Sequence, residues 1–259
     1  VFVAHGNAGG STSTGQATAT VTIGAGTFDI NTLEIGFQTA TGPNGATTGT
    51  LNVNNNNIVT TNASSGLVST GGDVGITAVT GVITDRDGDG NAGGVDIVAN
   101  GLRLVGDDGV GSGSEAIEVT VGVLTARTTT SGGIYLRETS GLVVDDVAVS
   151  VNRVGVGGGT SVYPVVADTQ SDVVSAAGGS IVIVVAGGNL VLHDGTASDD
   201  NVSVSAGGAG NVLLQALGGN ILADEDVKSV SGSISVLASG EVELTAGADL
   251  LTTSTGTVD

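Results

Sequence analysis

The residues best suited to chemistry in this sequence lie in one short run, Asp85-Arg86-Asp87-Gly88-Asp89-Gly90-Asn91. It places carboxylates at positions one, three and five, a glycine at six and a backbone carbonyl at seven. This pattern lets oxygen ligands on alternate residues converge on a hard cation, with glycine permitting the sharp turn. Counted from Asp85, position nine is Gly93, which contributes only through water, and position twelve is Asp96. The expected ligands of a structural calcium ion are therefore Asp85, Asp87, Asp89, Asn91 and Asp96. Asp96 stands where a bidentate glutamate is usual, and its shorter side chain reaches less far.

This run resembles calcium loops of the EF-hand, dockerin and thrombospondin-repeat type, without their flanking helix. The other acidic groups, Asp107-Asp108, Asp199-Asp200 and Asp224-Glu225-Asp226, read as solvated turns. His193 and Asp194 are adjacent, so on a strand they face opposite sides and form no relay pair. His5 and His193 both read as surface residues. The absence of cysteine removes disulfides, thiolate nucleophiles and cysteine metal sites together. No Ser-His-Asp set, phosphate loop or dinucleotide fingerprint is present, because the Gly-x-Gly strings lack a strand-to-helix context. Asn62-Ala63-Ser64 and Asn201-Val202-Ser203 are glycosylation sequons, relevant only in a compartment that glycosylates.

No catalytic residue is assigned. The enzymatic alternative is a polysaccharide lyase or hydrolase built on a β-helix. Polygalacturonase-like sites pair spaced aspartates with Gly-His-Gly and Arg-Ile-Lys elements, and this sequence has neither. A lyase would draw its base from Arg86, Arg103, Arg127 or Arg137. Aromatic residues, the usual sugar platforms, make up only 2% of the chain.

The elements that must position these groups are short strands in a repeat. In residues 72–109 one unit occurs twice: a glycine, a run alternating apolar and polar residues, a glycine break, a second such run and an acidic turn. The starting glycines, Gly72 and Gly94, lie 22 residues apart (94 − 72). Further copies start at Gly133, Gly179, Gly210 and Gly232. A unit this short cannot bury its own apolar face, so it must stack on copies of itself. The expected fold is all-β, a right-handed parallel β-helix with coils of about 20 to 23 residues. Dividing the chain by that length gives about twelve coils. Tandem antiparallel β-sandwiches are the alternative, weakened by the shared template.

Four segments follow: an irregular entry over 1–26, solenoid coils over 27–146, an insertion or seam over 147–174, and further coils over 175–259. The third carries a glycine triplet and Pro164 in a strand-like run, and proline belongs at a sheet edge or bulge. The turn at 42–45 and a polar corner at 54–57, whose asparagines suit laddering between coils, belong to the second.

Composition agrees with this reading. The chain is 39% hydrophobic with mean hydropathy +0.35, mostly through Val, Ile, Leu and Ala. Its 46 glycines show no collagen period, so regular turns account for them. The formal net charge of −20 disfavours nucleic acid and anionic membranes as partners and favours cations. No run is long and apolar enough to span a membrane, so none is expected to insert. Beginning at Val1, the chain is expected to be a processed product or a piece of something longer.

The glycine-punctuated pattern at Gly179, Gly210 and Gly232 resembles the repeats of filamentous-haemagglutinin-like surface proteins and other giant repetitive bacterial adhesins. The resemblance covers about residues 72–247 and implies a parallel β-helix exported to the cell surface. Its secretion-signal domain is not visible here. The function expected is that of an extracellular structural or adhesive β-solenoid, either a segment of a large surface protein or a filament subunit. The expected partners are copies of itself or adjacent repeats, together with surface glycans.

Overall fold

Alternation of apolar and polar residues produces strands with one face turned inward, and burial follows the alternation. In Ile181–Val185 the side chains of Ile181, Ile183 and Val185 are fully buried, while Val182 and Val184 are half-buried. The strands Ile134–Glu138 and Val212–Ala216 repeat the pattern. Equivalent strands pair in parallel, so Ile134, Ile181, Val212 and Ile234 form one vertical column. Leu142, Leu190, Ile221 and Val242 form another.

The computed structural model describes residues 2–3, 18–23, 33–35, 48–53, 58–60, 67–68, 72–85, 94–154, 160–197, 200–245 and 247–259; side chains are described within these from residue 72, except 150–168. The described residues contain no helix, and the large parallel sheet curls about 304° round its axis. The architecture is therefore a parallel β-solenoid, and the parallel pairing excludes tandem antiparallel sandwiches.

Each later coil has three faces in chain order. The first carries Val173–Ser175, Val202–Ala206, Asp226–Ser229 and Leu250–Thr252. The second carries Ile134–Glu138, Ile181–Val185, Val212–Ala216 and Ile234–Ala238. Leu142–Val144, Leu190–Leu192, Ile221–Ala223 and Val242–Leu244 make the third. One column on the first face runs through Val21, Leu51, Ile76, Leu104, Ala126, Val173, Val204, Val227 and Leu250. Nine residues, one per coil, stand in it among the described residues, against the twelve coils suggested by length. The difference arises because several coils exceed the basic period. Val204 to Val227 spans 23 residues (227 − 204), but Ile181 to Val212 spans 31 (212 − 181) and Ile134 to Ile181 spans 47 (181 − 134).

The template glycines are explained by close stacking at the corner between the first and second faces. A Cβ on Gly179 would strike the carbonyl oxygen of Gly132, one on Gly210 that of Gly179, and one on Gly232 that of Gly210. Backbone lies on backbone there, and only a residue without a side chain fits. Buried hydroxyls brace the same corner. Ser229 Oγ donates to the Gly210 carbonyl at 2.8 Å and accepts from the Gly232 amide at 2.8 Å. Thr128 donates to the Gly132 carbonyl, and Ser175 to that of Gly179. Asparagine carbonyls link coils elsewhere: the Asn220 amide donates to Asn189 Oδ1 and the Glu241 amide to Asn220 Oδ1, each at 2.9 Å. The asparagines and the turn expected at 54–57 and 42–45 lie outside the described residues.

Both large insertions leave the corner between the third and first faces. The strands Val147–Val154 and Thr160–Gln170 form an antiparallel hairpin, a separate two-stranded sheet. Pro164 therefore sits on an edge strand, at the register shift between Val149 and Val151 on the partner strand. The hairpin folds back over the earlier coils, with Val147 and Val149 buried above Gly101 and Gly75. Gln170 Nε2 ties its base to the Leu104 carbonyl at 3.1 Å. One coil later, residues 193–201 form the second insertion.

Candidate metal centre

Three carboxylates converge where the coils around residue 96 meet. Asp85 ends the strand Val82–Asp85, Asp96 immediately precedes Ile97–Gly106, and Glu118 lies in Ile117–Thr128. Parallel pairing of Ile97 with Val119 sets Glu118 one coil above Asp96. The Asp96 amide donates to the Glu118 carbonyl at 2.8 Å, and the Glu118 amide donates to Asp96 Oδ2 at 3.0 Å. One carboxylate oxygen from each of Asp85, Asp96 and Glu118 lies within 4.8 Å of the others, and all three residues are buried.

Ionised carboxylates at that separation repel by ~3 kcal/mol per pair at an effective dielectric of about 20. Positive charge must balance them, whether from a cation, a basic side chain or protons. The all-oxygen donor set suits a hard cation such as Ca²⁺ rather than a soft one. Of the residues expected to ligate calcium, the fold brings Asp85 and Asp96 together. Asp87, Asp89 and Asn91 lie outside the described residues. Glu118 was missed by reading along the loop. Its signal is the spacing of 22 from Asp96 (118 − 96), one coil.

A second carboxylate group sits at the insertion corner. Asp172, Asp194 and Asp200 also offer oxygens within 4.8 Å of one another. Asp172 is 2% exposed and adopts φ 65°, left-handed backbone that a non-glycine residue rarely holds. Ser171 Oγ donates to Asp172 Oδ2 at 2.8 Å, and the Asn201 amide to Asp194 Oδ2 at 2.8 Å. Burial, then the Asp194 and Asp200 charges, push the Asp172 carboxyl up to about 6 against the hydrogen bonds from Ser171 and Gly195.

Beside this group His193 lies between aspartates of two neighbouring coils, with Nδ1 3.4 Å from Asp145 and Nε2 3.3 Å from Asp224. His193 and Asp194 lie just past the strand Leu190–Leu192 rather than on it, and they engage different partners; the vertical neighbours of His193 were invisible along the chain. Asp107 likewise is more than a solvated turn. It accepts from the Thr129 and Thr130 hydroxyls of the next coil at 2.6 Å, which hold its carboxyl below the usual range. Glu138 is fully buried, and burial pushes its carboxyl up despite hydrogen bonds from Ser140 and the Val121 amide.

No family model, curated protein or solved structure matches this chain. What can be said of the site therefore comes from its own geometry. No helix among the described residues is long and apolar enough to cross a membrane.

Proposed function

We propose that this protein is an extracellular structural or adhesive β-solenoid, acting as a segment of a large surface protein or as a subunit of an assembled filament. One observation carries the reading: the strand Val242–Leu244 exposes apolar side chains at column positions that are buried in the coil beneath it. Val242 and Leu244 are 44% and 42% exposed, whereas Ile221 and Ala223 in the same columns one coil below are buried. Val258 already bridges Ile234 in parallel, as Ile234 pairs with Val212 below it. Apolar columns and unpaired strand edges of this kind are covered by a coil of the same template, from adjacent repeats or from another copy. The likeness of the repeats at Gly179, Gly210 and Gly232 to those of filamentous-haemagglutinin-like adhesins supports the cell-surface assignment. Surface glycans are the ligands an adhesive role would use.

Calcium has a structural role in this reading. Asp85, Asp87, Asp89, Asn91 and Asp96 would hold it, with Glu118 adding a ligand from the next coil. An ion so held would join successive coils and neutralise buried acid.

Electron microscopy and light scattering of the purified chain, with glycan-array binding, test the proposal. Rods or end-to-end assemblies that are lost in Val242→Asp/Leu244→Asp, or saturable binding to a glycan, are the expected results. A monodisperse monomer at high concentration that binds no glycan would overturn it.

A further inference from the structure

Within a solenoid each coil touches the coil below and the coil above, so one interface in the stack can open while the others stay closed. The hairpin departs from that rule. Its stem, residues 147–149 paired with 168–170, leaves the coil that holds Leu142–Val144 and lies on the outward side of the coils beneath. Val147 is buried over Gly101 and Val149 over Gly75, one coil lower, since Val74 pairs with Leu102. Two residues of extended strand advance ~6.6 Å against ~4.8 Å for one coil, so the stem runs obliquely down the stack. Gln170 Nε2 donates to the Leu104 carbonyl at 3.1 Å. Just past the hairpin, the Asp172 carbonyl accepts from the Thr125 hydroxyl at 2.9 Å and the Ala126 amide at 3.0 Å. The stem and its root are thus tied to three successive coils.

Glycine makes the seat for this stem. Gly75 and Gly101 lie inside the strands Val74–Ala78 and Ile97–Gly106, at outward positions, and neither has left-handed backbone. A glycine in the middle of a strand weakens it and often marks the close approach of another segment. A Cβ at Gly75 would stand 3.5 Å from Val149, and one at Gly101 3.3 Å from Val147 and 2.8 Å from Asp73 Oδ1. Any side chain larger than a methyl group at Gly75 would therefore lift the stem. Burial follows the same line. Arg103 and Val105 point outward from Ile97–Gly106 yet are buried, whereas Val174, two coils above Val105 in the same outward column, is exposed.

We propose that the hairpin stem is a strap that couples the coils carrying Val74–Ala78, Ile97–Gly106 and Ile117–Thr128 into one cooperative unit. To part any two of these coils, the stem must first come off its glycine seat. Once it is off, the three are held by their neighbours alone, as the later coils are, and each interface opens separately. The strap acts on the outward side, so its release leaves the inward columns stacked.

Native-state hydrogen exchange of the whole chain reads the coupling. Val149→Asp puts a charge where the stem meets its seat. Amide protection in Val74–Ala78 and Ile97–Gly106 should then fall together by at least about tenfold, the factor carried by one lost buried valine, with Val212–Ala216 unchanged. Gly75→Leu should give the same pattern from the other side of the contact. In a chain whose residues 148–169 are replaced by a short Gly-Ser linker, Gly75→Leu should have no further effect, because no stem remains to be displaced. Unchanged protection in Val149→Asp, a fall confined to Val74–Ala78, an equal fall in Val212–Ala216, or a Gly75→Leu effect that persists without the hairpin would each overturn the proposal.

Discussion

Replacing Asp172 by Asn should make the protein more stable at pH 8 and leave it no more stable at pH 4. In the unfolded chain this carboxyl titrates near 3.8, and in the fold at about 6. Below 3.8 it is protonated in both states, and the favourable contribution is fully present. Between the two values the unfolded chain ionises first, so stability declines as pH rises. Above 6 both states are ionised and the loss is complete. The difference between the titration points corresponds to ~3 kcal/mol, of which ~2 kcal/mol falls between pH 4 and pH 8. Asparagine has one acceptor fewer for Ser171 Oγ and the Gly195 amide, costing about 1 kcal/mol at every pH. The decisive quantity is therefore the slope of the difference, which that constant cost does not affect. Urea midpoints and slopes for both proteins, measured from pH 4 to pH 8, give the difference directly. A wild-type-minus-variant difference that stays flat across this range would refute the assignment of a buried, repelled carboxyl at Asp172.

The stacked corner makes a second prediction. Gly210→Val places a side chain into the Gly179 carbonyl and should destabilise the solenoid by ~2 to 4 kcal/mol, read from the urea midpoint. A smaller loss, ~1 to 3 kcal/mol, is expected for Ser229→Ala, which leaves the Gly210 carbonyl and the Gly232 amide without their partner. For the acid cluster at residue 96, millimolar Ca²⁺ should raise the thermal midpoint, and Glu118→Gln should reduce that rise while changing the calcium-free midpoint less. Calorimetry showing no Ca²⁺ binding in that range would dispose of the calcium assignment.

How much of this was legible along the chain depends on whether the relevant contact is periodic. The inward columns follow from alternation within a strand, and Gly179, Gly210 and Gly232 recur because each sits on a glycine of the coil below, whereas Gly72 and Gly94 do not stack on each other: Val74 pairs with Leu102. The pairing of Asp96 with Glu118 was also within reach, because an uninterrupted coil of 22 residues separates them. The insertion corner was not. Asp145 and His193 lie 48 residues apart (193 − 145), and His193 and Asp224 lie 31 apart (224 − 193), so no fixed period relates them. Stacking nevertheless makes them neighbours, because Val144, Leu192 and Ala223 pair in succession.

The sequence by itself determined that this chain forms stacked parallel strands. Short alternating runs, each too small to bury its apolar face, leave self-stacking as the way to remove Val, Ile and Leu from water. Tertiary structure alone decided which acids meet. The hairpin and the loop leave the solenoid at one corner and return to it, so residues from separate coils close on Asp172. Their meeting is set by vertical register across the sheet, and that register is carried by backbone hydrogen bonds, which the identities of the acids themselves do not encode.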